Sequence, residues 1–249
     1  MWHYRERNIW SSSLIESIVL AGGLGTRLRS AVSDVPKPMA PINGRPFLDL
    51  LLFNLSQKGI KRVILSVGYM SQVIQDYFGK EKYGLLIDYN IEKNPLGTGG
   101  AIYSCLKNCK SEGVLVINGD SYINYDHKKL IKKWLEYKKP VVVTRKTKSS
   151  SRYGNITFEK DKIQSFSNLN NGKNDKKITI NAGVYILPKN LFNPDSTEDV
   201  FSFELDYLPK AVKSQDFYMI KSEGYFVDIG IPSDFKKAQS ELVKNIENV

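Results

Sequence analysis

Leu20–Arg29 reads LAGGLGTRLR and directly follows Ser17–Ala21, a short apolar run with the β-branched residues of a strand. Gly22, Gly23 and Gly25 remove Cβ atoms where the chain must turn, which lets several backbone N–H groups approach an anion closely. A phosphate cradle at a strand end is the natural use; the bland alternative is a tight turn without a ligand. The spacing excludes two familiar cradles. Counting G-x-G-x-x-G from Gly23 puts Leu28 where a dinucleotide fingerprint needs its third glycine, and no Gly-Lys-Ser/Thr closes the loop as in a Walker A motif.

Outward from this turn, β-rich runs alternate with helical periodicity as far as residue 145, the pattern of βαβ units around a mostly parallel sheet. The predicted strands are Ser17–Ala21, Arg62–Val67, Leu85–Ile91, Gly113–Asn118 and Pro140–Thr144. Phe47, Leu50, Leu51 and Leu55 mark one helical stripe, Val73, Ile74, Tyr77 and Phe78 a second, and Leu130, Ile131, Trp134 and Leu135 a third, with Asp126 as its N-cap. Beyond Lys148 come shorter β segments at Asn155–Phe158, Ile163–Phe166 and Thr179–Leu187, a β-rich lobe on the same sheet. Asn168–Lys177 (NLNNGKNDKK) reads as a loop, because it offers almost nothing to bury. A last strand at Tyr225–Asp228 leads into a closing helix with Pro232 in its first turn and Phe235, Ala238, Leu242 and Ile246 on one face. No repeat and no long linker interrupts the chain. We therefore expect an N-terminal extension at 1–15 and a single domain at 16–249, divided into a part at 16–145 and a second part, with the closing helix, at 146–249.

The 249 residues are 41% apolar, 25% charged and 11% aromatic, a globular composition with ample material for a core. No apolar run approaches the roughly 18 residues of a membrane span, and Met1–Ser13 is polar, so the expected compartment is the cytoplasm. Cys105 and Cys109, four apart on a helix, lack Cys or His partners nearby and read as two half-buried small side chains rather than metal ligands. Both histidines, His3 and His127, fall outside every motif and read as surface residues. A net charge of +10 favours anionic partners, among them nucleic acid, acidic lipid and phosphorylated metabolites. The excess sits in Lys128–Lys148 and Lys160–Lys177, in broken runs that read as solvated faces rather than as a nucleic-acid stripe.

Ten residues past Arg27, Pro36–Ile42 (PKPMAPI) stiffens the backbone with three prolines around Lys37. A lysine held this way offers a fixed positive charge to a phosphoryl oxygen during transfer, where preorganised electrostatics supplies most of the catalysis. Asp120 and Asp228 each end a predicted strand, which is where open α/β sheets place their ligands. Together they suit one Mg²⁺, which commonly takes one or two carboxylates and completes its shell with water and phosphate oxygens. The competing reading makes each a turn or cap residue beside Gly119 or Gly230.

LAGGLGTRL and PKPMAPI are followed in order by Pro95–Ala101 (PLGTGGA), Asn118–Asp120 (NGD), Arg152–Gly154 (RYG), Asn181–Tyr185 (NAGVY) and Phe226–Gly230 (FVDIG). From Ser17 to the C-terminus this series resembles the sugar-1-phosphate nucleotidylyltransferases. The resemblance implies an α/β, Rossmann-like nucleotidyltransferase fold, with a mostly parallel mixed sheet flanked by helices and a small β-rich sugar-binding lobe. It implies that a phosphate oxygen of a sugar 1-phosphate attacks the α-phosphorus of a nucleoside triphosphate, giving a nucleotide sugar and pyrophosphate. Leu20, Ala21, Gly22, Gly23, Gly25 and Thr26 would hold the triphosphate, Arg27 its β and γ groups, and Lys37 the α-phosphate. Asp120 and Asp228 would bind Mg²⁺, and Arg27, Lys37 and Asp120 would carry the catalysis. Glu92, Pro95, Gly97, Thr98, Gly99 and Gly119 would complete the nucleotide site, with backbone groups reading most of the base. Tyr153, Gly154, Asn181, Ala182 and Gly183 would meet the sugar.

PLGTGGA looks most like guanylyltransferases of manno-configured sugars, which implies GTP. With Arg29–Ser30 and Met39–Pro41 the likeness narrows to those that take a heptose 1-phosphate and make a GDP-sugar for surface polysaccharide. The expected partners are GTP and the sugar 1-phosphate, with no nucleic acid and no membrane, in a homo-oligomer. Two departures stand out. Asn168 and Leu169 replace a Glu-Lys pair with which many relatives grip the sugar and its phosphate, leaving Lys173, Lys176 or Lys177 to supply the charge. Ile231 replaces a common threonine. The alternatives are mannose 1-phosphate with GTP, glucose 1-phosphate with UTP or dTTP, a catalytically silent nucleotide-sugar-binding regulator, and a nucleic-acid binder. A glycosyltransferase is disfavoured by the absence of an Asp-x-Asp tripeptide.

Overall fold

The computed structural model describes residues 15–23, 25, 28, 32, 35–147, 154–167, 177–194 and 198–247. Strand β1 (Glu16–Ala21) is followed by a 3₁₀ turn at Lys37–Met39, a small hairpin of β2 (Pro41–Ile42) and β3 (Arg45–Pro46), and helix α1 (Phe47–Gln57). Then come β4 (Arg62–Val67), α2 (Ser71–Phe78), β5 (Glu81–Lys82), β6 (Leu85–Ile91), α3 (Gly97–Leu106) and β7 (Gly113–Asn118). The chain continues through β8 (Ser121–Ile123), α4 (His127–Tyr137), β9 (Val141–Thr147), β10 (Asn155–Glu159), β11 (Lys162–Ser167) and β12 (Ile178–Pro188). A π-helical turn at Phe203–Tyr207 runs into α5 (Leu208–Ala211), and β13 (Tyr218–Lys221), β14 (Phe226–Asp228) and α6 (Pro232–Glu247) complete the fold.

Ten strands form one mixed sheet in the order β10-β11-β13-β9-β12-β7-β1-β4-β6-β5. Pairing is parallel across β7-β1-β4-β6, antiparallel where β12 lies between β7 and β9, and parallel again between β13 and β9. The β segments after residue 148 thus extend the same sheet. Period-two alternation sends Val19, Leu65 and Leu115 to one face, under α1, α2 and α4, and Ile18, Ile64 and Val116 to the other, under α3 and α5. A third core beneath α6 joins Ala238, Leu242 and Ile246 to Leu28, Phe47, Tyr122 and Val227. Strand β14 stands outside the main sheet and pairs with β8.

Asp126 caps α4, accepting from the Lys129 N–H at 2.9 Å. Leu135 is exposed on that helix, and the lysines at 128, 129 and 132 face solvent as expected. The cysteines are more deeply placed than half-buried: Cys105 and Cys109 lie in the core under α3, and burial pushes both thiols up to about 12. His127 is no surface residue either, since both of its ring nitrogens are shut off from solvent. No helix among the described residues is long and apolar enough to cross a membrane.

Candidate active site

Because the crossovers to β4 and β7 leave β1 on opposite sides, the carboxyl end of β1 opens a crevice. The Gly119 N–H donates to the Leu20 carbonyl at 2.9 Å. A Cβ on Gly119 would stand 2.5 Å from that oxygen, so only glycine lets the turn close there and deliver Asp120 to the crevice. Gly22 is equally confined, its missing Cβ lying 2.5 Å from Glu92 Oε1. Glu92 itself accepts from Ser66 Oγ at 2.9 Å and from the Leu96 N–H at 3.2 Å, which anchors the segment leading into α3. Gly25 has φ +60, and a Cβ there would meet Lys37 Cβ at 2.7 Å. A Cβ on Gly23, by contrast, would find nothing within 4 Å among the described residues.

The 3₁₀ turn between Pro36 and Pro38 aims Lys37 inward, with 9% of its side chain exposed and Nζ 2.6 Å from Asp120 Oδ2. Strand β14 then brings up the second carboxylate. Asp228 lies opposite Ser121, and the Ile229 N–H donates to the Asp120 carbonyl at 2.9 Å. The Gly230 N–H donates to Asp228 Oδ1 at 2.7 Å, so the turn reading of Asp228 also holds. A Cβ on Gly230 would come within 2.7 Å of Asp228 Oδ1 and 3.0 Å of Lys37 Nζ, which locates all three functional groups around one point. Two carboxylates facing a phosphate cradle fit the needs of Mg²⁺. Among the described residues, no cluster of three or more His, Cys, Asp or Glu side chains is arranged for a metal.

Two cavities meet there. The smaller, about 230 Å³, is lined by Leu20, Gly22, Gly23, Lys37, Glu92 and Gly97 among others. The larger, about 380 Å³, is lined by Gly154, Asn155, Asn181, Gly183, Glu204 and Asp228 among others. Thr98, Asn118 and Asp120 line both. Thr98 Oγ1 donates to Glu204 Oε2 at 2.5 Å and accepts from the Phe203 N–H at 2.8 Å. Tyr185 Oη donates to the other carboxylate oxygen of Glu204 at 3.3 Å, and Asn181 Nδ2 donates to Tyr185 Oη. Burial holds the Tyr185 phenol well above its ordinary range, so it remains a donor. A hydrogen-bonded chain of four side chains therefore runs from one cavity to the other.

Residues 16–245 match the family model described as nucleotidyl transferase. The chain belongs to the nucleotidyl transferase family. It is 42% identical over 229 residues to the D-glycero-alpha-D-manno-heptose 1-phosphate guanylyltransferase of Aneurinibacillus thermoaerophilus, covering 92% of this chain and 98% of that one. The protein of the same name from Campylobacter jejuni subsp. jejuni serotype O:2 is 41% identical over 222 residues, or 89% and 97% of the two chains. Among solved structures, HddC from Yersinia pseudotuberculosis superposes with a TM-score of 0.80 at 38% identity, over 92% of this chain and 99% of that one. HddC has also been solved in complex with GMP-PN, with a TM-score of 0.78 and 37% identity over the same shares of the two chains. The chain is accordingly a nucleotidyl-transferring enzyme.

On this nucleotidyl transferase frame the residues expected from the sequence divide into three groups. Leu20, Gly22, Gly23, Lys37, Glu92, Pro95, Gly97, Thr98 and Asp120 line the smaller cavity, and Gly154, Asn181, Ala182, Gly183 and Asp228 the larger. Ala21, Gly25 and Gly119 line neither: Ala21 points into the core, and the two glycines permit close approaches behind the wall. Thr26, Arg27 and Tyr153 lie outside the described residues, as do Asn168, Leu169, Lys173 and Lys176.

The glycines of PLGTGGA also have a packing role. The Gly99 N–H is taken by the Phe201 carbonyl at 2.9 Å, and a Cβ at Gly97, Gly99 or Gly100 would strike Phe201 or Asp199 within 2.4 Å. They let the strap at residues 199–203 cross the first turn of α3. The strap leads into the π-helical turn that carries Glu204, which the sequence reading missed. Its signal, an acidic residue within the aromatic run Phe201–Tyr207, points nowhere until Thr98 and Tyr185 are seen beside it.

Proposed function

We propose that this chain transfers the guanylyl group of GTP to a manno-configured heptose 1-phosphate, D-glycero-α-D-manno-heptose 1-phosphate, releasing pyrophosphate and forming a GDP-heptose for surface polysaccharide. The observation that carries this reading is the junction of two cavities at Asp120 and Lys37, where a nucleotide in one would present its α-phosphorus to a sugar phosphate in the other. The names of the relatives, together with PLGTGGA, support the heptose and the guanine base.

In this scheme the backbone N–H groups of Gly22 and Gly23 cradle the triphosphate, and Arg27 holds its β and γ groups. Lys37 stays beside the α-phosphate and stabilises the charge that grows on it as the sugar phosphate oxygen attacks in line and pyrophosphate leaves. Asp120 orients the Lys37 ammonium and, with Asp228, forms the carboxylate pair for Mg²⁺. When bound, that ion would neutralise phosphate oxygens and fix the geometry of the displacement. Glu92, Pro95, Gly97 and Thr98 border the nucleotide. Tyr153, Gly154, Asn181, Ala182, Gly183 and the additional carboxylate of Glu204 border the sugar, to whose hydroxyls Glu204 offers acceptors. We take the working form to be a cytoplasmic homo-oligomer.

The test is pyrophosphate release with Mg²⁺ and each of the common nucleoside triphosphates, paired with the heptose phosphate or with mannose 1-phosphate. Selective turnover of GTP with the heptose phosphate, lost in Asp120→Asn, is the expected result. Turnover of another pair would replace the substrates and keep the chemistry. Silence from a protein that still binds a nucleotide sugar would make it a regulator instead. Replacing Lys173, Lys176 and Lys177 together by Ala should raise the KM for the sugar phosphate, and an unchanged KM would remove them from its binding.

A further inference from the structure

A row of polar side chains runs from α3 across two strands to the smaller cavity. Ser66 on β4 and Asn90 on β6 stand opposite each other in the parallel register, on the sheet face that α3 covers, and Ser104 reaches them from α3 itself. Ser104 Oγ lies 2.9 Å from Asn90 Oδ1, Asn90 Nδ2 lies 3.2 Å from Ser66 Oγ, and Ser66 Oγ lies 2.9 Å from Glu92 Oε1. Ser66 is fully buried. Glu92, at the end of the row, is half-buried and lines the smaller cavity beside Gly22.

The last member fixes the direction of every bond. An ionised carboxylate can only accept, so the single hydroxyl proton of Ser66 goes to Glu92. The Ser66 oxygen must then accept, which turns the amide NH₂ of Asn90 towards it and leaves the Asn90 carbonyl to accept from Ser104. All three bonds point to Glu92, an alignment in which each strengthens the next. Its other oxygen, Oε2, accepts from the Leu96 N–H at 3.2 Å. A carboxylate offers roughly four acceptor sites, so one held by a donor on each oxygen keeps an acceptor on each for a ligand. Two acceptors side by side suit a base with two N–H groups side by side. Guanine has that edge in N1–H and its 2-amino group. Uracil and thymine set one N–H between two carbonyl oxygens, and adenine and cytosine set an amino group beside a bare ring nitrogen, so each brings a lone pair up to the carboxylate. We propose that Ser104, Asn90 and Ser66 are positioning residues that hold the Glu92 carboxylate as a fixed acceptor for the donor edge of guanine, and so set the choice of base. This rests on the nucleotide site and the GTP specificity proposed above.

ITP differs from GTP only in lacking the 2-amino group. The ratio of their dissociation constants, measured by calorimetry on the full chain with Mg²⁺, therefore reads this contact without any sugar phosphate. The starting protein should prefer GTP by about tenfold or more, the difference typical of a hydrogen bond to a charged group. Asn90→Asp keeps the shape but draws the Ser66 proton to itself, and should bring GTP and ITP to within about threefold of each other. Ser66→Ala serves if Asn90→Asp does not fold. Ser104→Ala should lose part of the preference, and Ser104→Thr, which keeps the hydroxyl, should retain it. An unchanged preference in Asn90→Asp and Ser66→Ala would overturn the proposal. So would a weakening of GTP and ITP by the same factor, because a merely structural role moves both ligands together. A starting protein that prefers another triphosphate to GTP, or a Glu92→Gln variant with the starting preference intact, would overturn it one step earlier, at the guanine reading itself.

Discussion

The smaller cavity is walled by short segments of the N-terminal half, between Leu20 and Asp120, several of them glycine turns, whereas the larger one draws its wall from segments between Thr98 and Asp228 that include both sides of the sheet's antiparallel insertion. Around the smaller cavity, the parallel strands β1 and β7 end together, and glycines at 25 and 119 let chain approach chain at distances no Cβ would allow. Around the larger cavity, β12 enters antiparallel, and its Asn181 donates to Tyr185, which in turn donates to Glu204 beyond the strap. The first design tolerates almost no change of residue. The second can exchange one acceptor for another while the reacting centre, Lys37 with Asp120, stays in place.

The largest effect is expected at the point the two sides share. Asp120→Asn should lower kcat by roughly 10² to 10³ fold, the range for removing one preorganised charge from a transition state, with pyrophosphate release as the readout. A residual rate near wild type would dissolve the picture of a common centre. Next comes a contrast within the nucleotide side. Gly97→Ala places a side chain at φ +70 and 2.4 Å from a backbone oxygen, and should cost about 2–4 kcal/mol in thermal unfolding. Gly23→Ala meets nothing among the described residues and should leave stability within about 0.5 kcal/mol, while raising the KM for the nucleotide. Equal behaviour of the two variants would mean that Gly23 does not face a ligand.

A subtler change should separate the two sides. Glu204→Gln keeps the shape but weakens an acceptor that holds Thr98 and Tyr185, and it should raise the KM for the sugar phosphate by about tenfold, with a smaller rise for the triphosphate. Equal rises in both would show the hydrogen-bonded chain acting as one unit. The smallest effect on catalysis belongs to a residue outside both cavities. His127 is neutral in the fold down to about 4, so an unfolded chain takes up its proton first as the pH drops below the ordinary histidine value. Stability should therefore fall between about pH 6.5 and pH 4, by on the order of 3 kcal/mol in total. His127→Gln should flatten that part of the curve in pH-dependent melting and leave both KM values alone.

Short-range rules carried most of the frame. Strands β4, β6 and β7 begin and end where β-branched runs meet turn residues, but the expected stripe of α1 was only part of its buried surface: Phe47, Leu50 and Leu51 face α6, while Leu48 and Leu52 join Leu55 beneath β1, because α1 is buried on two sides. The start of α3 was harder, because three glycines in PLGTGGA look like a loop until the strap that needs them is in view. Glu204 was hidden for the same reason, since its partner Thr98 lies 106 residues away. Strand β13 is too short for its alternation to stand out beside Phe217. The surface reading of His127 failed because a histidine between Asp126 and Lys128 resembles a solvated helix start, while its neighbours in the fold include Tyr125 and Lys58 at the end of α1.

The depth of Cys105 and Cys109 also has a practical side. The chain contains these two thiols and no other, and both are packed in the core in a form too weakly acidic to react at neutral pH. A single cysteine introduced at exposed Lys177, on the approach to β12, would thus be the sole position a maleimide dye could reach. Fluorescence from that position would report on ligand arrival with no need to strip the native thiols first.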